Sequence, residues 1–135
     1  MKIKEQNKLK EVLLQTDIMR MPDQINSIIF GKEIEGECKY SSFSNYLSEA
    51  GCVSLILETT GQYAEILIRN SEKLGTEKMF LAEVKDLKIY SDIAQNDISI
   101  RVRLIMKIKN IYKSYTEVYV KDELIASGYL IHIRE

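Results

Sequence analysis

Apolar residues in this chain follow two different rhythms. From Gly51 to Arg69 they are dense and nearly all-round, and Ser54, Glu58, Gln62, Glu65 and Arg69 form one polar stripe at helical spacing. This pattern predicts a helix over about residues 50–70, stopped by Asn70-Ser71-Glu72-Lys73-Leu74-Gly75. Beyond it the period falls to two. Ile98, Ile100, Val102, Leu104, Met106 and Ile108 alternate with Ser99, Arg101, Arg103, Ile105, Lys107 and Lys109, which predicts a strand over 97–109 with a basic outer face. Weaker alternation predicts strands over 78–89 (Phe80, Ala82, Val84), 115–121 (Thr116, Val118, Val120) and 124–134 (Ile125, Tyr129, Ile131, Ile133). Lys121-Asp122-Glu123 reads as a tight hairpin loop.

Ahead of the long helix the signals are shorter. Asn7 caps a predicted helix over 7–14, with Leu9, Val12 and Leu13 on one side, and Pro22, the only proline, closes the connection that follows. Residues 25–40 read as extended, with a turn or bulge at Gly31-Lys32. Residues 41–49 read as a polar loop dotted with aromatics. Gly61 inside the helix lowers its propensity by roughly 1 kcal/mol relative to Ala, and close approach of a strand is the expected reason. The sum is an α+β chain in which a meander encloses one apolar helix.

Length and composition fit one domain spanning 1–135, with 45% apolar and 29% charged residues. A net charge of -1 with scattered cations gives no field for nucleic acid or an anionic membrane surface. The central run is interrupted by too many polar residues to span a membrane. The basic N-terminus has no apolar stretch after it, so a secretion signal is not expected, and a cytoplasmic protein is. Cys38 and Cys52 then read as reduced thiols, and they form no spaced metal motif, so no metal or cofactor is expected.

Glu58 is the residue with the most chemical promise, because a carboxylate in mid-helix among apolar neighbours needs partners or a task. The plain alternative is that the stripe containing it faces solvent or a dimer interface. Gln62, one turn on, can orient Glu58 or simply support the helix. His132, the sole histidine, is out of phase with Tyr129, Ile131 and Ile133 and reads as a surface or interface residue. Cys52 at the helix start reads as a small buried residue rather than a reactive thiol. Phe43, Tyr46 and Leu47 either line a pocket or anchor their segment to the core. Arg101, Arg103, Lys107 and Lys109 read as a solvated face, with an acidic partner or a phosphate as the alternative.

Certain stretches resemble a known family. Leu55-Ile56-Leu57-Glu58-Thr59-Thr60-Gly61-Gln62 resembles a helix motif of an apolar triplet, Glu, three residues and Gln. Phe80 to Ile89 with Gln95-Asn96-Asp97, and Glu117 to Ala126, resemble that family's later strands and last hairpin. The family is the hot-dog fold superfamily, in its beta-hydroxyacyl-acyl-carrier-protein dehydratase and thioesterase branch. The resemblance implies a hot-dog fold, a homodimer whose sheets join, and an acyl thioester of acyl carrier protein or CoA bound at the dimer interface. It implies Glu58 as catalytic carboxyl, Gln62 as its orienter, and backbone N–H groups near Gly51, Cys52 and Val53 as the thioester-carbonyl site. The family's loop histidine falls about fourteen residues before Glu58, where this chain has Ser44. Three versions follow: hydrolysis through Glu58, dehydration with another base, or a catalytically silent acyl-binding or partner subunit.

Overall fold

The computed structural model describes Glu5, residues 23–75 and residues 77–135. The predicted helix over 7–14 and its boundary at Pro22 lie outside the described residues. Two short strands, β1 (Gln24–Ile29) and β2 (Glu33–Cys38), precede two helices, α1 (Tyr40–Ala50) and α2 (Cys52–Ser71). Four longer strands follow: β3 (Met79–Ile89), β4 (Ile98–Ile108), β5 (Ile111–Val120) and β6 (Glu123–Arg134). They form one antiparallel sheet in the order β1-β2-β4-β5-β6-β3, so β1 and β3 are its edges.

The turns follow from their residues. Gly31 takes a positive φ of 78°, and the Lys32 N–H donates to the Ile29 carbonyl at 2.9 Å. Lys121 and Asp122 both have positive φ, 50° and 67°, the mirror-image turn whose twist matches the flanking strands. A helix-facing row then closes on α2: Ile34, Ile98, Ile100, Val102, Val118, Ala126 and Leu130 meet Leu55, Ile56, Tyr63, Ile66 and Leu67. Every position of α2 from Gln62 to Arg69 is buried, so the expected helix enclosed by an antiparallel sheet is what the chain adopts.

Details differ from the sequence expectation in instructive ways. Residues 41–49 are helical, not a loop; Phe43 is buried, and Tyr46 and Leu47 pack on the core three and four residues on, at helical spacing that Ser and Asn neighbours obscure. Strand β5 starts at Ile111 rather than at residue 115; its inward positions Tyr112, Ser114 and Thr116 all carry hydroxyls, which hides the apolar alternation. On β6 the inward phase is Ala126, Gly128, Leu130 and His132, the opposite of the expected one; an irregularity in the β5–β6 pairing beside Ile125 resets the alternation. The strand approach expected at Gly61 occurs instead at Gly36, where an added Cβ would collide with the Tyr63 ring and the Gln24 carbonyl oxygen. The Tyr63 hydroxyl sits 2.7 Å from that oxygen and ties β1 to α2.

Candidate functional site

The polar stripe of α2 descends from half-buried to fully buried along the helix. Ser54 and Glu58 are half-buried, Gln62 and Glu65 are buried, and Arg69 has no exposed surface at all. Of the plain alternative, a stripe facing solvent or a dimer interface, the solvent half fails for Gln62, Glu65 and Arg69. The Gln62 side-chain amide donates to Glu58 Oε1 at 2.9 Å, and Arg69 Nε donates to Glu65 Oε1 at 2.8 Å. Arg69 also donates through Nη1 to the Gly75 carbonyl at 3.0 Å, which fastens the segment after the helix. Buried charges are tolerated when paired in this way.

Glu58, Gln62, Glu65 and His132 converge on one cavity of about 140 Å³. Its apolar wall is Leu57 with Met79 and Leu81 of edge strand β3, and Gly61 forms part of the lining. A Cβ at Gly61 would meet nothing within 4 Å, so the glycine keeps space open rather than admitting a strand.

His132 is not on the surface: only 3% of it is exposed. It pairs across the sheet with Tyr112 on one side and with Leu81 on the other. Burial first, and then the neighbouring Arg69 cation, together lower its pKa to about 4. The imidazole is therefore neutral at physiological pH. Its Nδ1 has no hydrogen-bond partner among the described residues, and neither do Arg69 Nη2 and Ser114 Oγ, both buried.

The other residues singled out from the sequence lie elsewhere. Ser44 is half-buried on α1, outside the cavity lining. Gly51 links the helices with a φ of 91°, and no side chain caps the start of α2, where Val53 is 49% exposed. The Cys52 thiol is raised by burial, partly offset by the Ile93 N–H, so its place at a helix start does not activate it. Phe43 is a core residue; the Tyr46 hydroxyl is raised by burial and then by the Glu58 charge. On the outer face of β4, Arg101 pairs with Glu35 at 2.7 Å and Arg103 with Glu117 at 3.9 Å, whereas Lys107, past the irregularity between Leu104 and Met106, lies opposite the inward Tyr112 and pairs with Glu72 at the end of α2, so the expected basic outer face does not extend to it. These cations are matched by acidic neighbours of the same chain. His132 is the site residue that sequence reasoning placed wrongly. The signal that finds it is the reset of the β6 alternation, visible only once strand pairing is known.

Among the described residues, no helix is long and apolar enough to cross a membrane. No family model and no curated protein matches the sequence. Solved structures do match in shape. A chain of the dehydratase heterocomplex ApeI:P from Xenorhabdus doucetiae is similar with a TM-score of 0.80 at 11% identity, over 94% of this chain and 90% of that one. A candidate thioesterase from Shewanella oneidensis is similar with a TM-score of 0.70 at 13% identity, over 95% of each chain. Another candidate thioesterase, from a Silicibacter species, has a TM-score of 0.73 at 12% identity, over 96% of this chain and 88% of that one. At such identities the likeness speaks for architecture alone, and the architecture that these dehydratase and thioesterase structures share with this chain is the hot-dog fold.

Proposed function

We propose that this protein handles acyl thioesters, as a dehydratase-like or thioesterase-like hot-dog protein acting on acyl carrier protein or CoA thioesters. The observation that carries the reading is the Glu58 carboxylate, held at 2.9 Å by Gln62 in a cavity beside edge strand β3. Glu58 supplies the catalytic carboxyl and Gln62 orients it, leaving the second carboxylate oxygen for a water or a substrate hydroxyl. The start of α2 near Gly51, Cys52 and Val53 has no side-chain cap, so its backbone N–H groups suit a thioester carbonyl oxygen that gains negative charge. Val53 and Glu58 are five residues apart, about 7.5 Å along the helix axis, so a carbonyl held at the helix start sends its acyl group towards Glu58. Ser44 is assigned to the substrate's path on α1.

In hydrolysis, Glu58 takes a proton from water as the water oxygen attacks the carbonyl carbon, and the thiol leaves. In dehydration, the same carboxyl protonates the departing hydroxyl while a base removes the α proton. A homodimer joined along β3 would cover the exposed Phe80 and Leu81, 49% and 41% accessible, and pair an open sheet edge. The cytoplasm is its proposed compartment.

The test is to incubate purified protein with acyl-, hydroxyacyl- and enoyl-pantetheine thioesters, following free thiol, enoyl absorbance and heats of binding. Turnover that falls at least a hundredfold in Glu58→Gln is expected; turnover equal to wild type in that variant refutes the assignment. A second reading is a silent partner subunit of an active hot-dog enzyme. It is favoured by the similarity to a chain of a dehydratase heterocomplex over 94% of this chain. That reading expects thioester binding with no turnover until a second hot-dog protein is added.

A further inference from the structure

The two ends of the sheet carry different surfaces. Net charge and scattered cations predict no field for an anionic membrane surface, but folding sorts the side chains by end. One end holds the turn between β1 and β2, the tip of the β4–β5 hairpin and the last residues of β6. Ile29, Phe30, Ile105, Met106, Ile108 and Ile111 are all exposed there, Phe30 by 60% and Ile108 by 54%. None of them lies on β3, the edge assigned above to the homodimer. Gly31 shares a hollow with Ile105, Met106 and Lys107, and the Leu104 N–H donates to the Lys32 carbonyl at 2.7 Å, so turn and hairpin form one surface. The six side chains present on the order of 600 Å² of apolar area, the upper limit for a monomer's largest patch. The opposite end carries Asp92, Asp97, Asp122 and Glu123, all exposed.

Strand register arranges the outer face of the apolar end in layers. At the rim, Ile108, Ile111 and Ile133 lie in one row across β4, β5 and β6. The next row holds Met106, Lys113 and Ile131. Behind it Arg103, Tyr115, Tyr129 and Lys85 cross four strands. The Tyr115 and Tyr129 rings are 5.0 Å apart, with Arg103 5.4 Å from the first centroid and Lys113 4.9 Å from the second. The step from Ile111 to Tyr115 is about 13 Å along the strand. An apolar rim backed by cations and tyrosines matches the depth profile of a lipid interface, where rings and long cationic chains settle among the headgroups.

We propose that this end of the protein docks on an anionic lipid surface, with Phe30, Ile108 and Ile111 at its apolar tip and Lys32, Lys109 and Lys113 facing the headgroups. Charge favours that occupant. The three lysines make no ion pair among the described residues, while carboxylates occupy the far end, so a negative surface orients the molecule tip first. The hairpin end is tied down already: the Arg134 N–H donates to the Asn110 carbonyl at 2.9 Å, and the Asn110 side-chain amide donates to the Arg134 carbonyl at 2.6 Å. Those backbone groups therefore meet the interface satisfied. Beyond Leu104, β4 outruns β2 and has an open edge, which keeps insertion to side-chain depth. A stable protein partner would need more area, since a standard interface buries about 800 Å² on each side. The docking does not depend on the thioester chemistry proposed above.

The test is flotation of the full chain with vesicles of phosphatidylcholine, alone or with about one quarter phosphatidylglycerol. Wild type is expected to bind the anionic vesicles at least tenfold more tightly than the neutral ones, less so as salt rises. Phe30→Ser with Ile108→Ser, and separately Lys32→Glu with Lys109→Glu, are each expected to weaken that binding at least tenfold. All four positions are exposed, so both variants are expected to keep the wild-type circular dichroism. Lys39→Glu with Lys121→Glu, at the opposite end, is expected to leave binding within twofold. Wild type that floats with neither vesicle overturns the proposal. So does binding that survives both tip variants, or that falls as much in the far-end variant. Self-association that is lost in Phe30→Ser with Ile108→Ser, without vesicle binding by wild type, also overturns it and assigns the patch to a second copy of the chain.

Discussion

Two cavities of this protein teach opposite lessons about where function resides. The outer one, about 270 Å³, lies on the solvent face of β2, β4 and β5 between Glu35, Ser99, Arg101, Tyr119 and Asp122. The inner one beside Glu58 is about half that size. In the outer cavity the charged groups satisfy one another: Arg101 meets Glu35 at 2.7 Å, opposite it in the strand register, and the Tyr119 hydroxyl donates to Glu117 at 2.9 Å. Those pairs are what an ordinary antiparallel sheet puts on its wet face. The cavity beside Glu58 is lined by two carboxylates, a carboxamide and an imidazole, those of Glu58, Glu65, Gln62 and His132. The chemistry of the lining residues marks the candidate site better than volume does.

The contrast can be broken most forcefully at Arg69. Replacing it with Met leaves Glu65 as an unpaired charge 8% exposed, and denaturant unfolding at pH 7 is expected to show a loss of about 3–5 kcal/mol. The double change Glu65→Leu with Arg69→Met is expected to recover most of it; a single Arg69→Met change that costs under 1 kcal/mol would mean the inner charges are no different from surface ones.

Acid stability gives the next largest effect. The folded-state pKa of His132 is about 4 against 6.5 for an unperturbed imidazole, so the unfolded chain binds the extra proton first. His132 therefore contributes its full stability above pH 6.5 and loses it as pH falls towards 4, by about 3 kcal/mol in all. Unfolding free energies measured from pH 7 down to 4 are expected to slope less in His132→Leu than in wild type, with little cost to that variant at pH 7. Parallel slopes in the two proteins would show that the imidazole is not held neutral by its surroundings.

A smaller change sharpens the comparison from the substrate's side. Gly61→Ala places a methyl group in open space and improves helix propensity, so a stabilisation of about 0.5–1 kcal/mol is expected in thermal unfolding. The same methyl enters the inner cavity, so thioester affinity is expected to fall as stability rises. At the small end, Arg101→Ala removes an exposed pair and is expected to cost under about 1 kcal/mol, with thioester binding untouched.

Periodicity made much of the fold legible in advance. The apolar density between Gly51 and Arg69 announced an enclosed helix, and the clean alternation from Ile98 to Leu104 announced a strand with one dry face. Glu58 and Gln62 stood out because a mid-helix carboxylate with an amide one turn away is legible from spacing alone. His132 did not, since its direction depends on an irregularity at Ile125 that arises from pairing with another strand. Helix α1 was hidden because Ser41, Ser42, Ser44 and Asn45 favour turns locally, and tertiary anchoring of Phe43 overrides them. The tail of β4 also departs from its pattern: past the irregularity between Leu104 and Met106, Ile105, Met106 and Ile108 are all exposed.

The most direct test asks which cavity the acyl group enters. A short acyl-pantetheine thioester carrying a diazirine on its acyl chain, irradiated on the protein and mapped by peptide mass spectrometry, reports the answer residue by residue. Labels on Leu57, Gly61, Met79 or Leu81 are the predicted result. Labels on Ser99, Ile100 or Asp122, with none on α2 or β3, would contradict it.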